Sequence, residues 1–218
     1  MFALAACGPR LEIALASPAT AAPGLVALTG PTPRSELVMA GVDLLLRAAG
    51  VERSQVEGVV AARGPGSFTG VRVALATAQG LATGLGIPAH GFSSLLAQAA
   101  RTEARACLAV QPARRGTAYA QPFVRHDSLL EPGGDPKVVP LTELASSGLP
   151  VVAPDGMELA PGTPLAEVRL TTVEALLELM ARQQHPDPAT LTPFYVEPPP
   201  ASRPTERAPA WPPSPTAS

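Results

Sequence analysis

The sequence predicts an α/β protein in two subdomains, on three observations. Apolar strand-like runs come first, helices then alternate with strands, and a second, smaller round of the same kind follows. The runs are continuous rather than alternating, as expected of a sheet covered on both faces. From residue 198 onward prolines crowd the chain and leave no room for regular structure. The expected division is therefore residues 1–103, residues 104–197 and a proline-rich tail over 198–218. That tail reads as disordered or polyproline-like, with Trp211 as an exposed aromatic inside it.

The elements follow in order. Residues 2–7 (FALAAC) and 11–16 (LEIALA) read as a hairpin, with 24–28 (GLVAL) as a third strand. SELVMAGVDLLLRAAG is the first helix, with Ser35 as its cap and Gly50 as its end. Leu37, Val38, Val42, Leu45 and Leu46 recur in it at helical spacing. Residues 56–62 form a strand, residues 64–84 a glycine-rich loop and helix, residues 87–92 a strand and residues 93–101 a capped helix. In the second round ARACLAVQP and GTAYAQPF read as strands, and residues 124–136 as loop. Residues 149–156 are a strand and turn, residues 171–184 a capped amphipathic helix, and LTPFYVEP a closing segment.

Composition narrows the function. Of 218 residues, 46% are apolar and 16% charged, enough apolar material for a real core. The net charge of −2 lacks the basic excess that drives nucleic-acid binding, so any RNA contact is expected to be indirect. Cys7 and Cys107 sit in apolar runs without metal or disulfide spacing and read as buried thiols. His90, His126 and His185 share no ligand spacing, so no metal is expected. MFALAACG lacks the basic start of a signal peptide and residues 73–89 are too polar to span a bilayer. A cytoplasmic protein without membrane contact is the expectation.

The loop Gly64-Pro65-Gly66-Ser67-Phe68-Thr69-Gly70 is where a phosphate site would be sought. A P-loop needs Lys and a hydroxyl residue after its last glycine, and here Val71 and Arg72 follow. The dinucleotide fingerprint needs another glycine spacing and an acidic residue about 20 positions on, and neither is present. A serine nucleophile elbow fails because Pro65 and Thr69 flank Ser67 where glycines belong. The loop reads as a tight turn with Ser67 or Thr69 capping the helix. The helix itself is unusual. Ala74, Ala78 and Ala82 form one small-residue stripe and Ala76, Gly80 and Gly84 another, and Arg72 is its only charge. Such a helix is either wholly buried or packs one face on another chain.

The segment ARGPGSFTGVRVALATAQGLATGLGIPAHGFSSL resembles the hallmark of the TsaB (YeaZ) family, with weaker likeness in RSELVMAGVDLLL, AVQPARRGTAYAQPF and TPFYVEPPPA. The resemblance spans residues 1–201. It implies an actin-like/Hsp70-like ATPase fold of two ribonuclease-H-like subdomains. It implies a non-catalytic scaffold that dimerises with a TsaD-type transferase during threonylcarbamoyladenosine modification of tRNAs reading ANN codons. A TsaE-type ATPase joins that complex, tRNA is met only through it, and a homodimer is open to the chain alone. The family's contact uses the two N-terminal helices, here 35–49 and 70–84. Glu36, Leu37, Gly70, Val71, Ala74, Leu75, Ala78, Gln79 and Ala82 are the interface residues this implies, with Glu36 as a candidate for a salt bridge to the partner.

The chain departs from the family pattern where metal chemistry would sit. Ala6-Cys7-Gly8 replaces the first strand's acidic ending, Arg34 stands for a histidine, Pro112 for an aspartate and Thr117 for a glutamate. A magnesium–nucleotide site needs carboxylates, so the departures favour a scaffold without cofactor. The alternatives are an ATP-dependent, kinase-like enzyme of the same fold, or a peptidase acting on TsaD. Neither has a matching constellation in the sequence. Asp155 and Glu158 read as solvated loop carboxylates, and Arg114 and Arg115 lie in a turn, solvated or against tRNA phosphate.

Overall fold

The computed structural model describes residues 1–30, 34–184 and 191–197. The proline-rich tail with Trp211, and His185, lie outside the described residues. Strands β1 (Phe2–Ala5), β2 (Leu11–Leu15), β3 (Gly24–Leu28), β4 (Val59–Ala62) and β5 (Ala89–Phe92) form the first sheet, in the order β3-β2-β1-β4-β5. β2 runs antiparallel to both β1 and β3, while β4 and β5 add parallel to β1. Every residue of β1, β2 and β4 is buried, which is why their sequences are apolar without alternation. β3 is the edge strand and alternates, with Leu25 partly exposed.

Helices α1 (Arg34–Ala49) and α2 (Phe68–Leu85) cover one face of this sheet and α4 (Thr172–Ala181) the other. Successive strand residues point to opposite faces. Phe2 accordingly lines a groove with α1 and α2, and Ala5 borders Thr172 of α4. Because α1 begins at Arg34, Ser35 lies in its first turn and is not its cap as the sequence suggested. Gly50, at φ +63°, ends it.

The second sheet runs β10 (Val151–Val152), β6 (Ala106–Pro112), β7 (Thr117–His126), β8 (Leu129–Pro132), with β9 (Lys137–Pro140) also paired to β7. Residues 124–136 are thus not the loop expected. β7 extends to His126 and turns through Asp127, at φ +53°, into β8. The turn escaped sequence reading because no glycine marks it, and aspartate tolerates the left-handed region. Helix α3 (Ser94–Ala99), capped by Ser93, packs between this sheet and α4. Cys107, Ala109 and Phe123 face the main core, which also contains the first sheet. Leu108, Val110 and Ala120 face the opposite way and form a smaller core with Leu144 and Val151.

Candidate functional site

The glycine loop is a packed turn. Gly64 and Gly66 take φ of +101° and +145°, which only glycine adopts readily. A Cβ on Gly66 would collide with the Cys7 carbonyl oxygen, and one on Gly64 would lie 2.6 Å from that of Phe194. Backbone and caps consume the loop's polar groups. Ser67 N donates to Cys7 O at 2.7 Å, Ser94 N to Gly64 O at 2.7 Å, and the Ser94 hydroxyl to Pro65 O. Ser67 Oγ accepts from Gly70 N at 3.2 Å and caps α2, while Thr69 stays exposed in the first turn. Residues 191–197 run across the loop. Phe194 N donates to Arg63 O at 2.8 Å, Arg63 reaches Thr192 O at 3.0 Å, and Gln79 reaches Leu191 O at 3.0 Å.

Helix α2 has two faces, and the structure corrects which one is free. Gly70, Val71, Ala74, Leu75 and Ala78 are buried against the chain's own sheet, Ala74 and Ala78 completely. These five expected interface residues are core. Leu37 and Ala82 are half-buried, and only Glu36 and Gln79 of the set are exposed. The outward line is the other stripe: Arg72, Ala76, Gly80 and Gly84. The sequence could not choose between the stripes, because alanine and glycine carry almost no hydrophobic contrast.

Between the outward faces of α1 and α2 lies a groove of about 290 Å³. Met39 and Asp43 line it from α1, and Gly80, Leu81, Gly84 and Leu85 from α2. Met39 is 52% exposed, and Leu44 on the same helix 57%. Large apolar side chains exposed beside uncharged small ones are the composition of a protein contact.

The second candidate is the cleft between the sheets, at the end of β1. Arg101, 2% exposed, donates to Gln98 Oε1 (2.8 Å), Ala153 O (2.7 Å), Leu170 O (2.8 Å) and Asp155 Oδ1 (2.6 Å). Arg10 binds the other Asp155 oxygen at 2.9 Å. Asp155 is thus a paired carboxylate, not the solvated one expected, while Glu158 is exposed. Glu12, also buried, accepts from Thr172 N at 3.0 Å at the start of α4. Burial pushes its carboxyl above the ordinary range, against the opposing pull of Arg101. A Cβ on Gly8 would meet Pro154 Cβ at 2.8 Å, and only about 10 Å³ stays free among these side chains. Gly8 is therefore held to glycine by Pro154, and the side chains around it pack closely. Sequence reading missed Glu12, Gln98, Arg101 and Thr172, since their partners are up to 160 residues away.

The remaining candidates are ordinary. Cys7 and Cys107 are buried and in no disulfide, Cys7 Sγ lying 3.6 Å from Ala62 O, and desolvation pushes the Cys107 thiol up to about 11. Arg114 and Arg115 are exposed, and Arg114 lies 3.6 Å from Glu197. Among the described residues no cluster of His, Cys, Asp or Glu is arranged to hold a metal, and no helix is long and apolar enough to cross a membrane.

Comparison with known proteins places this geometry. The family model described as TsaD, tRNA N6-adenosine threonylcarbamoyltransferase, matches residues 33–160. The Escherichia coli K12 tRNA threonylcarbamoyladenosine biosynthesis protein TsaB is 31% identical over 113 residues, 50% of this chain and 49% of that protein. The chain thus spans about half the length of that curated relative. A Pseudomonas aeruginosa structure described as similar to peptidase YeaZ superposes with a TM-score of 0.71 at 24% identity, covering 90% of this chain and 98% of that one. YeaZ from the same organism gives 0.68 at 24% identity, covering 89% and 98%. The fold is accordingly the actin-like, ribonuclease-H-like α/β fold that the resemblance implied.

Proposed function

This chain belongs to the TsaD family, and on that premise we propose that it is of the TsaB/YeaZ branch, the non-catalytic partner subunit of a TsaD-type transferase in threonylcarbamoyladenosine modification of tRNA. The observation that carries the reading is the groove between α1 and α2. It joins exposed Met39 to Leu81, Leu85, Gly80 and Gly84 on a helix whose only charge is Arg72. Glycines at 80 and 84 let a partner helix approach α2 closely, and the apolar rim supplies area to bury. The cleft supports the non-catalytic half. Its carboxylates are tied to arginines and a helix start rather than gathered to hold a metal. In this reading a TsaE-type ATPase and tRNA meet the chain through the complex, in the cytoplasm.

The test is co-purification and sizing with the same organism's TsaD-type protein. Gly80→Arg puts a long cation into the groove without touching the core, because nothing lies within 4 Å of a Cβ at this position. It should leave the fold intact, with a melting temperature no lower than that of wild type, and abolish the complex. Ala78→Arg is not informative about the partner. Ala78 is fully buried, so that variant should unfold the chain. A Gly80→Arg chain that still co-purifies in full would overturn the proposal.

A further inference from the structure

Arg72 is the only charged residue between Gly64 and Ala100, and it is exposed. Arg10, Arg101, Arg114 and Arg182 all reach carboxylates. Arg72 is instead held over the Phe68 ring, with Cζ 3.8 Å from the ring centroid. Phe68 in turn stacks on Tyr195, with centroids 6.0 Å apart and planes at 29°. The two rings are 47% and 36% exposed, in a chain with few aromatics. Two segments far apart in sequence, the start of α2 and the crossing segment, thus meet to hold one guanidinium on the surface.

A guanidinium lying on a ring keeps its N–H edge free, and that edge matches a carboxylate in bidentate geometry. Aromatic rings with arginine are also the side chains that anchor protein interfaces. The cluster is continuous with the groove. Residues 72, 76, 80 and 84 are exposed at one-turn intervals along one line of α2, and nothing after Arg72 on that line is larger than alanine. RNA phosphate fits less well. A nucleic-acid surface needs several cations together, and here the exposed Arg72 and Arg53 are offset by Asp43 in the groove and by exposed Glu36 on the same neighbouring helix.

We infer that Arg72, seated on Phe68, which Tyr195 backs, anchors an acidic side chain of a partner protein helix that lies along the outward line of α2. The inference rests on the reading that a TsaD-type chain occupies this face. It adds that the partner carries an Asp or Glu about 18 Å, twelve residues of helix rise, from the point that sits on Gly84. Arg72 then fixes the register in which the two helices pack.

The experiment titrates the full-length chain with the same organism's TsaD-type protein at low and high salt. Arg72→Glu should weaken binding at least tenfold, with the melting temperature unchanged because the side chain is exposed. Arg72→Lys should fall between the two, for want of the planar fork, and Phe68→Ala should weaken binding by removing the seat. Reversing the charge of one partner Asp or Glu should restore binding to Arg72→Glu. If Arg72→Glu binds as wild type while Gly80→Arg does not, the anchor is wrong and the groove reading stands. If Gly80→Arg also binds normally, the groove reading itself fails. If Arg72→Glu lowers tRNA binding by the isolated chain, or splits a self-dimer, and leaves the partner complex intact, the occupant is RNA or a second copy and the inference is overturned.

Discussion

Arg101 and Glu12 hold the most distant parts of the chain together, and they do so at opposite electrostatic cost. Arg101 has four acceptors, one of them the charged Asp155, so its burial is compensated. Glu12 accepts from Thr172, but burial is the larger influence and raises its pKa above the ordinary 4.5. The sign of the pH effect follows. A carboxyl whose folded pKa is raised favours folding while protonated, and that contribution is fully present below the unfolded value. It is lost as pH rises through the folded value. Glu12→Gln removes the titration and keeps an oxygen for Thr172 N. Denaturant unfolding of both proteins across pH 4 to 8 should therefore show the variant gaining on wild type as pH rises. The opposite trend would mean that the bond to Thr172, not burial, governs this carboxyl.

At the scale of elements, α2 serves two masters with two stripes of small residues. The inner stripe lets the helix sit close on β1 and β4, and the outer stripe is exposed. Gly80 and Gly84 are mid-helix glycines with nothing within 4 Å of a Cβ. Such positions cost about 0.5–1 kcal/mol relative to alanine. Gly80→Ala should thus stabilise the isolated chain by about that amount in a chemical melt and weaken the partner complex. Stabilisation without any loss of binding would remove close approach as the reason for glycine. This element also marks how far the sequence could be read. Strands β1 to β5, the α2 cap at Ser67 and the Thr171 cap of α4 were legible, because each is a local signal of apolar run or capping side chain. Which side of α2 faces inward was not, since the two stripes differ by two methyl groups. The buried network was not legible either, because Glu12, Arg101 and Asp155 acquire meaning only when the sheets meet.

At the scale of the whole molecule, residues 191–197 bind the parts that the proposed function uses. Leu191 is buried in the main core at 6% exposure. Thr192 and Phe194 bond to Arg63 at the glycine loop, Gln79 of α2 bonds to Leu191 O, and Tyr195 stacks on Phe68. Glu197 then lies 3.6 Å from Arg114, in the β6–β7 turn of the second sheet. A chain ending at Glu197 keeps all of these contacts, and one ending at residue 190 loses them together. Burying a leucine side chain contributes roughly 1.5–3 kcal/mol and each hydrogen bond about 1 kcal/mol net. Losing the segment should cost about 3 kcal/mol or more, a fall of roughly 6–12 °C in melting temperature for a chain of this size. The shorter chain should also bind the TsaD-type partner more weakly, because Phe68 loses its Tyr195 support and α2 its Gln79 tie. Equal melting temperatures for the two truncations would show that the glycine loop and α2 hold their positions without the segment that crosses them. The aromatic cluster at Arg72 would then have to form from α2 alone.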